Sequence, residues 1–205
     1  DGTLTICIEG SNDKPFLTGH ESYDYAQGDR TPVTDNDWDI SAAEQGVVDG
    51  GNKASEYSDI INGRFQADDY DNGASLTFSA TLNGAEMSPG LAGAVVVEDD
   101  GSLDGYAGTV QVIEPVDADF ADAVTGNEFQ IPAGEYQVFD LNVGEFYLAA
   151  DGRYYFDVDD ANALVQGMNQ GEEITLNFTL TVKDGQMTFH VSLASKKIVN
   201  LYLGS

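Results

Sequence analysis

Apolar and polar residues alternate along several segments of the chain, and this period of two is typical of β-strands. The longest such run covers residues 174–182, and another covers 187–193 beyond a turn that contains an Asp-Gly pair. Residues 76–82 and 4–8 show the same alternation. Strands of this kind, separated by Asp-Gly and Asn-Gly turns, pair in antiparallel sheets with one apolar face each. We therefore predict an all-β chain folded as an antiparallel β-sandwich.

Helical patterns are few and short. Residues 41–44 read Ser-Ala-Ala-Glu, which could form a capping box, and residues 117–124 and 160–166 could each form one or two turns. We expect a few short helical turns between strands.

The composition is strongly acidic. The 205 residues include 36 Asp and Glu against 8 Lys and Arg, a net charge of −28, while 41% of residues are hydrophobic. The apolar content predicts a folded core, whereas the charge disfavours binding to nucleic acid or to an anionic membrane surface. No apolar run of about 18 residues is present, so we expect no membrane insertion. Bound cations and adaptation to a saline habitat could each explain the charge.

Residues 66–73 join two carboxylates to a tight turn. Asp69 and Asp71 alternate, and Gly73 leads into the strand predicted at residues 76–82. Ca²⁺ takes six to eight oxygen ligands, and carboxylates held beside a rigid strand suit it. A solvated hairpin turn is the alternative, since Asp, Asn and Gly are ordinary turn residues.

A second acidic segment surrounds the only tryptophan. Asp35, Asp37 and Asp39 alternate as in the first half of a calcium loop, although the glycine of an EF-hand is missing. We predict metal binding here, with a solvated helix N-terminus as the alternative. Trp38 is a candidate to line a ligand site, or else a core residue.

A third acidic region lies farther along the chain. Four acids fall within residues 98–104, and two glycines accompany them, so Asp99, Asp100 and Asp104 could wrap a cation or simply form a hairpin. Tyr106 follows directly, and Asp119 belongs to another acidic cluster.

Catalytic motifs are missing from the sequence. It contains no Gly-x-Ser-x-Gly elbow, no His-Glu-x-x-His and no phosphate loop. Cys7 is the only cysteine, which excludes an intrachain disulfide and disfavours a cysteine-based zinc site. Paired carboxylates for glycoside hydrolysis stay open, but we expect a protein that is not an enzyme.

Four segments, in this order, resemble parts of the VCBS and cadherin-like repeats of giant repeats-in-toxin (RTX) adhesins. They are the junction at residues 9–15 (Glu-Gly-Ser-Asn-Asp-Lys-Pro), the Asp-x-Asp turn at 63–73, the Asp-Gly hairpin at 144–156 and the closing strands from 164 to 185. The resemblance implies a cadherin-like or Ig-like sandwich. It also implies that Asn12 and Asp13 contribute to a calcium site between domains.

This chain differs from an ordinary repeat in the spacing of these segments. The Asp-x-Asp turn and the Asp-Gly hairpin are separated by a long stretch, which predicts a repeat split by an inserted β-rich module. The predicted division is residues 1–13 for the end of a preceding repeat and its junction, 14–84 for the first part of the scaffold, 85–143 for the inserted ligand-binding module and 144–205 for the second part.

The resemblance and the insertion together imply a function. Such adhesins leave bacteria by type I secretion, act at the cell surface, and carry split domains that hold the C-terminus of a partner protein with the help of Ca²⁺. We therefore expect an extracellular, calcium-dependent domain that is monomeric in isolation and contacts neighbouring repeats of its own chain. Its partner would be a peptide or protein on a host or neighbouring cell. The predicted ligand-binding residues are Asp99, Asp100, Tyr106, Trp38 and Asp119. The alternatives are a structural extender stiffened by Ca²⁺ and a calcium-dependent carbohydrate-binding module.

Overall fold

The fold is all-β in a computed structural model of the chain. The described residues are 15–23, 33–35, 40–44, 60–70, 73–98, 101–117, 130–159, 162–168, 172–185, 188–192 and 199–203. They form β-strands in mainly antiparallel sheets and one short helix, α1 (Ala163–Gln166). The prediction of an all-β chain is confirmed. Within these ranges no helix is long and apolar enough to cross a membrane.

Seven strands form the first sheet, and every pair of neighbours in it is antiparallel. Their order is β2 (Val33–Asp35), β1 (Phe16–Tyr23), β4 (Ile60–Asp68), β11 (Arg153–Val158), β10 (Gly144–Ala149), β9 (Gly134–Leu141) and β6 (Thr109–Ile113).

The second sheet is organised around strand β12 (Glu173–Lys183). From Ile174 to Lys183 it pairs with β5 (Thr77–Met87). The opposite edge of β12 pairs with β13 (Thr188–Ser192) and with β14 (Val199–Leu203). Strand β3 (Ile40–Glu44) lies parallel to β14. A separate two-stranded sheet contains β7 (Val116–Asp117) and β8 (Gln130–Ile131).

Three of the predicted strands are confirmed. The runs at residues 76–82, 174–182 and 187–193 correspond to β5, β12 and β13. In β12 the apolar positions are buried, from Ile174 at 0% exposure to Val182 at 0%. The alternating pattern therefore identified the core face correctly. The run at residues 4–8 lies outside the described residues.

The short helical predictions had mixed outcomes. Residues 160–166 do contain α1, whose N-cap Asn162 accepts a hydrogen bond from the Leu164 backbone N–H (2.8 Å). The helical prediction for residues 41–44 is wrong, because this segment is strand β3, paired with β14. Pairing with a distant strand outweighed a local capping pattern, as tertiary context often does. Asp117 ends β7, and residues 118–124 lie outside the described part.

Both sheets contribute to one hydrophobic core. Phe139 and Phe146 of the first sheet contact Phe178 of the second, with ring centroids 5.1 and 5.0 Å apart. Phe65, Leu82 and other buried side chains extend this core. Aromatic pairs of this kind add about 0.5–1.5 kcal/mol each beyond the area they bury.

A smaller cluster covers the other face of the first sheet. Tyr136 contacts Tyr147 and Tyr155 edge-on, at centroid distances of 6.0 and 5.8 Å. The Tyr136 hydroxyl donates to the Pro132 carbonyl (3.0 Å), and the Tyr147 hydroxyl donates to the Glu145 carboxylate. Strands β9, β10 and β11 are thus buried on both faces.

The predicted inserted module shares its core with the scaffold. Phe139, Leu141 and Val143 lie in the same cluster as Phe65 and Phe178. The predicted boundary at 84/85 falls inside β5, and β9 pairs directly with β10. The division into scaffold and module stays a prediction, but residues 134–143 cannot be removed without opening the core.

Excision of residues 85–143 should therefore prevent folding. It removes five buried side chains of the core, namely Val95, Val97, Phe139, Leu141 and Val143. Large-to-small core substitutions already cost about 2–5 kcal/mol each, and a whole domain is stable by only about 5–15 kcal/mol. We expect no cooperative thermal transition by circular dichroism.

The matched variant replaces only residues 118–129 with Asn-Gly. Asp117 pairs with Gln130, so a two-residue hairpin turn can join the two strands. This variant should unfold cooperatively. A cooperative transition in the larger excision would show instead that the module is separable.

The tyrosine cluster predicts a loss of stability at high pH. Burial raises the pKa of Tyr136 to about 12, and burial followed by the hydrogen bond to Glu145 raises the pKa of Tyr147. Both phenols are held neutral in the fold. The stability that these neutral phenols give the fold is complete below 10.0, the pKa of a phenol in the unfolded chain. It is lost as the pH rises through the higher pKa values of the folded protein.

Urea unfolding between pH 9 and pH 12 tests this. In the Tyr136→Phe and Tyr147→Phe variants, the free energy of unfolding should fall less steeply with pH than in the parent. Tyr70→Phe is the control, because this side chain is 79% exposed, and it should follow the parent. If the free energy of unfolding falls equally with pH in the parent and in all three variants, the buried tyrosines are not the cause of the loss of stability.

Candidate ligand-binding cleft

The end of β4, the turn before β11 and the start of β5 meet at one place. The Phe65 backbone N–H donates to the Gly152 carbonyl (2.9 Å), and the Phe78 N–H donates to the Ala150 carbonyl (2.9 Å). The Asp-x-Asp and Asp-Gly segments, distant in sequence, are therefore neighbours in space.

The turn that makes this contact requires a glycine. Gly152 has a φ of +88°, and a Cβ atom there would lie 2.6 Å from the Phe65 carbonyl oxygen. The preceding Asp151 supports the turn, since its Oδ1 accepts from the Arg153 N–H (3.2 Å) and its Oδ2 lies 2.8 Å from Arg153 Nε. The close approach explains the Asp-Gly pair in the sequence.

A cleft of about 520 Å³ opens beside this junction. Its lining combines charged, polar and apolar side chains: Arg64, Phe65, Gln66, Ala67, Asp68, Leu76, Phe78 and Asp151. The volume is within the range of about 300–1,000 Å³ typical of small-ligand sites. Phe65 and Phe78 also belong to the core and are almost wholly buried, at 1% and 9% exposure, so they border the cleft but expose little apolar surface to it.

Charged groups lie at both ends of the cleft. At one end, Arg64 Nε donates to the Asp151 carbonyl (3.3 Å). At the other, Asp68 Oδ1 accepts from the Asp69 N–H (2.8 Å). Asp69 is half-buried, and its Oδ2 oxygen is shielded from solvent.

Most of the predicted site residues lie outside the described part of the chain. These are Asn12, Asp13, Asp37, Trp38, Asp39, Asp71, Asp99, Asp100 and Asp119. Asp35 ends β2, and its side chain is not among those described. Asp69 and Asp104 are described, and Asp104 is exposed with its N–H donating to Ser102 Oγ (3.2 Å).

Tyr106 lies beside β5, at the edge of the second sheet. Its N–H and carbonyl exchange hydrogen bonds with Leu82 of β5 (3.1 and 2.8 Å). Its ring packs edge-on against Phe139 at 5.7 Å. Gln137 closes the same edge, since its side chain bonds both the N–H and the carbonyl of Ala80 (2.8 Å each). A ligand-binding role for Tyr106 stays a prediction.

The predicted calcium binding stays a prediction. Among them, no three His, Cys, Asp or Glu side chains form a group that could hold a metal ion. Asp68 and Asp69 follow each other in the chain, whereas Ca²⁺ requires six to eight oxygen ligands. The remaining donors would have to come from elsewhere, and the sequence offers Asp71 and Asn72 next to them.

Sequence reasoning missed the polar lining of the cleft. Arg64, Gln66 and Asp68 lie within the segment singled out at residues 63–73, and Asp151 lies within the hairpin at 144–156. Their meeting depends on the pairing of β4 with β11, which no local pattern specifies.

Comparison of the chain with protein-family models, with curated proteins and with solved structures finds no match in any of the three.

Replacing Gly152 should cost more than a positive φ alone explains. Gly152→Ala combines the unfavourable φ with the 2.6 Å approach to the Phe65 carbonyl. The unfavourable φ alone costs about 1–3 kcal/mol of the free energy of unfolding, and the close approach should make the loss for Gly152→Ala, measured by urea denaturation, larger than that of the control. Gly185→Ala is the control, because Gly185 has a similar φ of +94° and nothing within 4 Å of its Cβ position. Equal losses in the two variants would show that the close approach is unimportant.

Proposed function

We propose that the chain is a calcium-dependent ligand-binding domain of a secreted or surface-anchored bacterial adhesin, with a peptide or protein C-terminus as its ligand. The observation that carries the proposal is the contact between the two adhesin-like segments. The β4 end and the Asp151–Gly152 turn meet and border one cleft. Concave sites that bring polar and apolar groups together are a common form of ligand-binding site.

The scaffold would be a β-sandwich of the cadherin-like or Ig-like kind. The shared core of the two larger sheets supports this, since Phe139 and Phe146 of one contact Phe178 of the other. Inward-facing side chains of two sheets interdigitate in this way in sandwiches.

Calcium would act next to the cleft, and Asp69 and Asp71 of the acidic turn would hold it. Bound there, the ion would neutralise carboxylates that otherwise repel one another and would offer a positive charge to a ligand. The net charge of −28 makes such neutralisation favourable. An extracellular location at the bacterial surface belongs to the same proposal.

A calcium-dependent carbohydrate-binding module is the second candidate. Tyr70 follows Asp69 directly and is 79% exposed. An exposed aromatic ring beside a carboxylate turn suits stacking against a sugar. A structural extender would need neither this ring nor the cleft.

Calcium should stabilise the domain. A ligand that binds only the folded state adds about 4 kcal/mol at a thousandfold excess over its Kd. The melting temperature in millimolar CaCl₂ should exceed that in EDTA at matched ionic strength by several degrees. Asp69→Asn should reduce this gain, whereas Glu135→Gln, an exposed carboxylate on β9, should not. Equal melting temperatures would contradict calcium binding, and an equal gain from NaCl would indicate adaptation to salt.

Ligand binding is measured on the same protein. A mixture of tetrapeptides with free carboxylates and an array of immobilised glycans are each tested in CaCl₂ and in EDTA. Binding of peptides that EDTA abolishes is the expected result. Binding of glycans alone would favour the carbohydrate module, and binding of neither would favour the extender.

A further inference from the structure

Strand β6 ends the seven-stranded sheet. Among the described strands only β9 pairs with it, and four of its five residues are exposed. The other edge of such a strand presents a row of main-chain N–H and C=O groups to which a further strand can bond.

The edge of β6 has none of the usual protection. Charged residues, proline and a bulge are the common devices. Strand β6 reads Thr-Val-Gln-Val-Ile, and its pairing with β9 is regular from Thr109 to Ile113. The edge of β5 in the other sheet is closed instead. There the N–H groups of Phe78, Ala80 and Leu82 each donate to an acceptor from another part of the chain, at 2.8–2.9 Å.

Two valines make the exposed surface of β6 apolar. Val110 and Val112 are 72% and 79% exposed. They lie opposite Gln137 and Glu135 of β9, and residues that are directly opposite share one face of a sheet. The Gln137 side chain bonds Ala80 at the edge of β5, so β6 lies one strand beyond the other sheet. That sheet therefore leaves the two valines uncovered.

The charge of the chain restricts where a second copy can approach it. Each copy has a net charge of −28, so contact between acidic surfaces is opposed by repulsion. Residues 105–113 contain no charged side chain. Two copies can therefore meet at β6 without placing carboxylates against each other.

The sequence of β6 is also complementary to itself in the antiparallel direction. With a twofold axis at Gln111, Val110 of one copy lies opposite Val112 of the other. Thr109 lies opposite Ile113 in the same way. Cross-strand pairs of β-branched residues stabilise neighbouring strands.

This register also keeps the nearest carboxylates apart. Across the two copies, one row of side chains reads Glu135, Val112, Val110 and Gln137, with the last two from the second copy. The row that begins with Glu135 therefore ends at an amide, and the two Glu135 side chains lie in different rows.

We propose that two copies of this chain pair through the edges of β6, antiparallel about a twofold axis at Gln111. The two seven-stranded sheets then form one continuous sheet. Because both copies use the same surface, the contact closes as a dimer. Stable complexes bury about 1,200–2,000 Å², more than a pair of five-residue strands offers, so this dimer is weak and the dilute domain is a monomer. The inference goes beyond the proposed function and does not depend on it.

Sedimentation equilibrium in EDTA tests the dimer without any contribution from calcium. We expect a monomer at micromolar concentration and a monomer–dimer equilibrium towards millimolar concentration. NaCl should favour the dimer, because salt screens the repulsion between two copies of like charge. Association that NaCl weakens would indicate contact through ion pairs and would overturn the proposal.

The matched variants are Val112→Lys and Val96→Lys. Lysine on an edge strand opposes further pairing, so Val112→Lys should weaken the association about tenfold or more. This substitution makes the chain less negative, so added repulsion between copies cannot explain the loss. Val96 is 46% exposed and lies outside β6, and Val96→Lys should associate like the parent.

Cysteine cross-linking reads the register, in a background that carries Cys7→Ser. Gln111→Cys should give a disulfide-linked dimer on mild oxidation, because directly opposite strand residues have Cα atoms about 4.5–5.5 Å apart, within the range of a disulfide. Thr109→Cys is the control on the same strand. Its two copies would lie four residues apart along the strands, about 13 Å, which is too far for a disulfide.

Each outcome supports or overturns the proposal. Equal cross-linking of Gln111→Cys and Thr109→Cys overturns the register. A chain that stays monomeric at every concentration and salt, or a Val112→Lys variant that associates as Val96→Lys does, overturns the dimer and leaves the edge to a strand of another protein. A lower melting temperature confined to Val112→Lys would show that the chain itself covers this edge, which also overturns the dimer. Calcium and ligand binding are measured separately, so the proposed function stands or fails on its own.

Discussion

The contact of Phe178 with Phe139 and Phe146 is the interaction on which the rest of the structure depends. It joins the two larger sheets at ring distances of 5.0–5.1 Å, and it draws β9 and β10 into the same core as β12. Since a well-packed core tolerates few changes of volume, it holds its strands in one arrangement. The strands around the cleft are attached to this core by pairing, β5 to β12, β11 to β10 and β4 to β11.

The cleft itself results from a difference in strand length. Strand β4 extends to Asp68, whereas its partner β11 begins opposite Arg64. A tight turn at Gly152 allows the chain to leave the sheet there, and the Phe65 and Phe78 N–H groups anchor that turn. A site defined by rigid strands and an anchored turn keeps its shape before any ligand arrives, which lowers the entropic cost of binding.

The alternation of apolar and polar residues was sufficient to predict part of the fold. The alternation at residues 174–182 predicted β12 and its buried face, because burial on one side of a strand imposes a period of two. The capping pattern at residues 41–44 misled, because pairing of β3 with β14 joins segments far apart in sequence. The cleft was beyond prediction for the same reason. Asp69 was found in the sequence as a carboxylate turn, but Arg64 and Asp151 become neighbours only through the register of β4 and β11.

In the proposed function, the carboxylate turn beside the cleft holds calcium and thereby makes the cleft a binding site. An anomalous difference map from crystals grown in CaCl₂ would show the ion itself. We expect a calcium peak within about 2.3–2.6 Å of a carboxylate oxygen of Asp69, which is the range of Ca–O distances in proteins. A map that shows no peak at Asp69, in crystals that contain millimolar calcium, would contradict it.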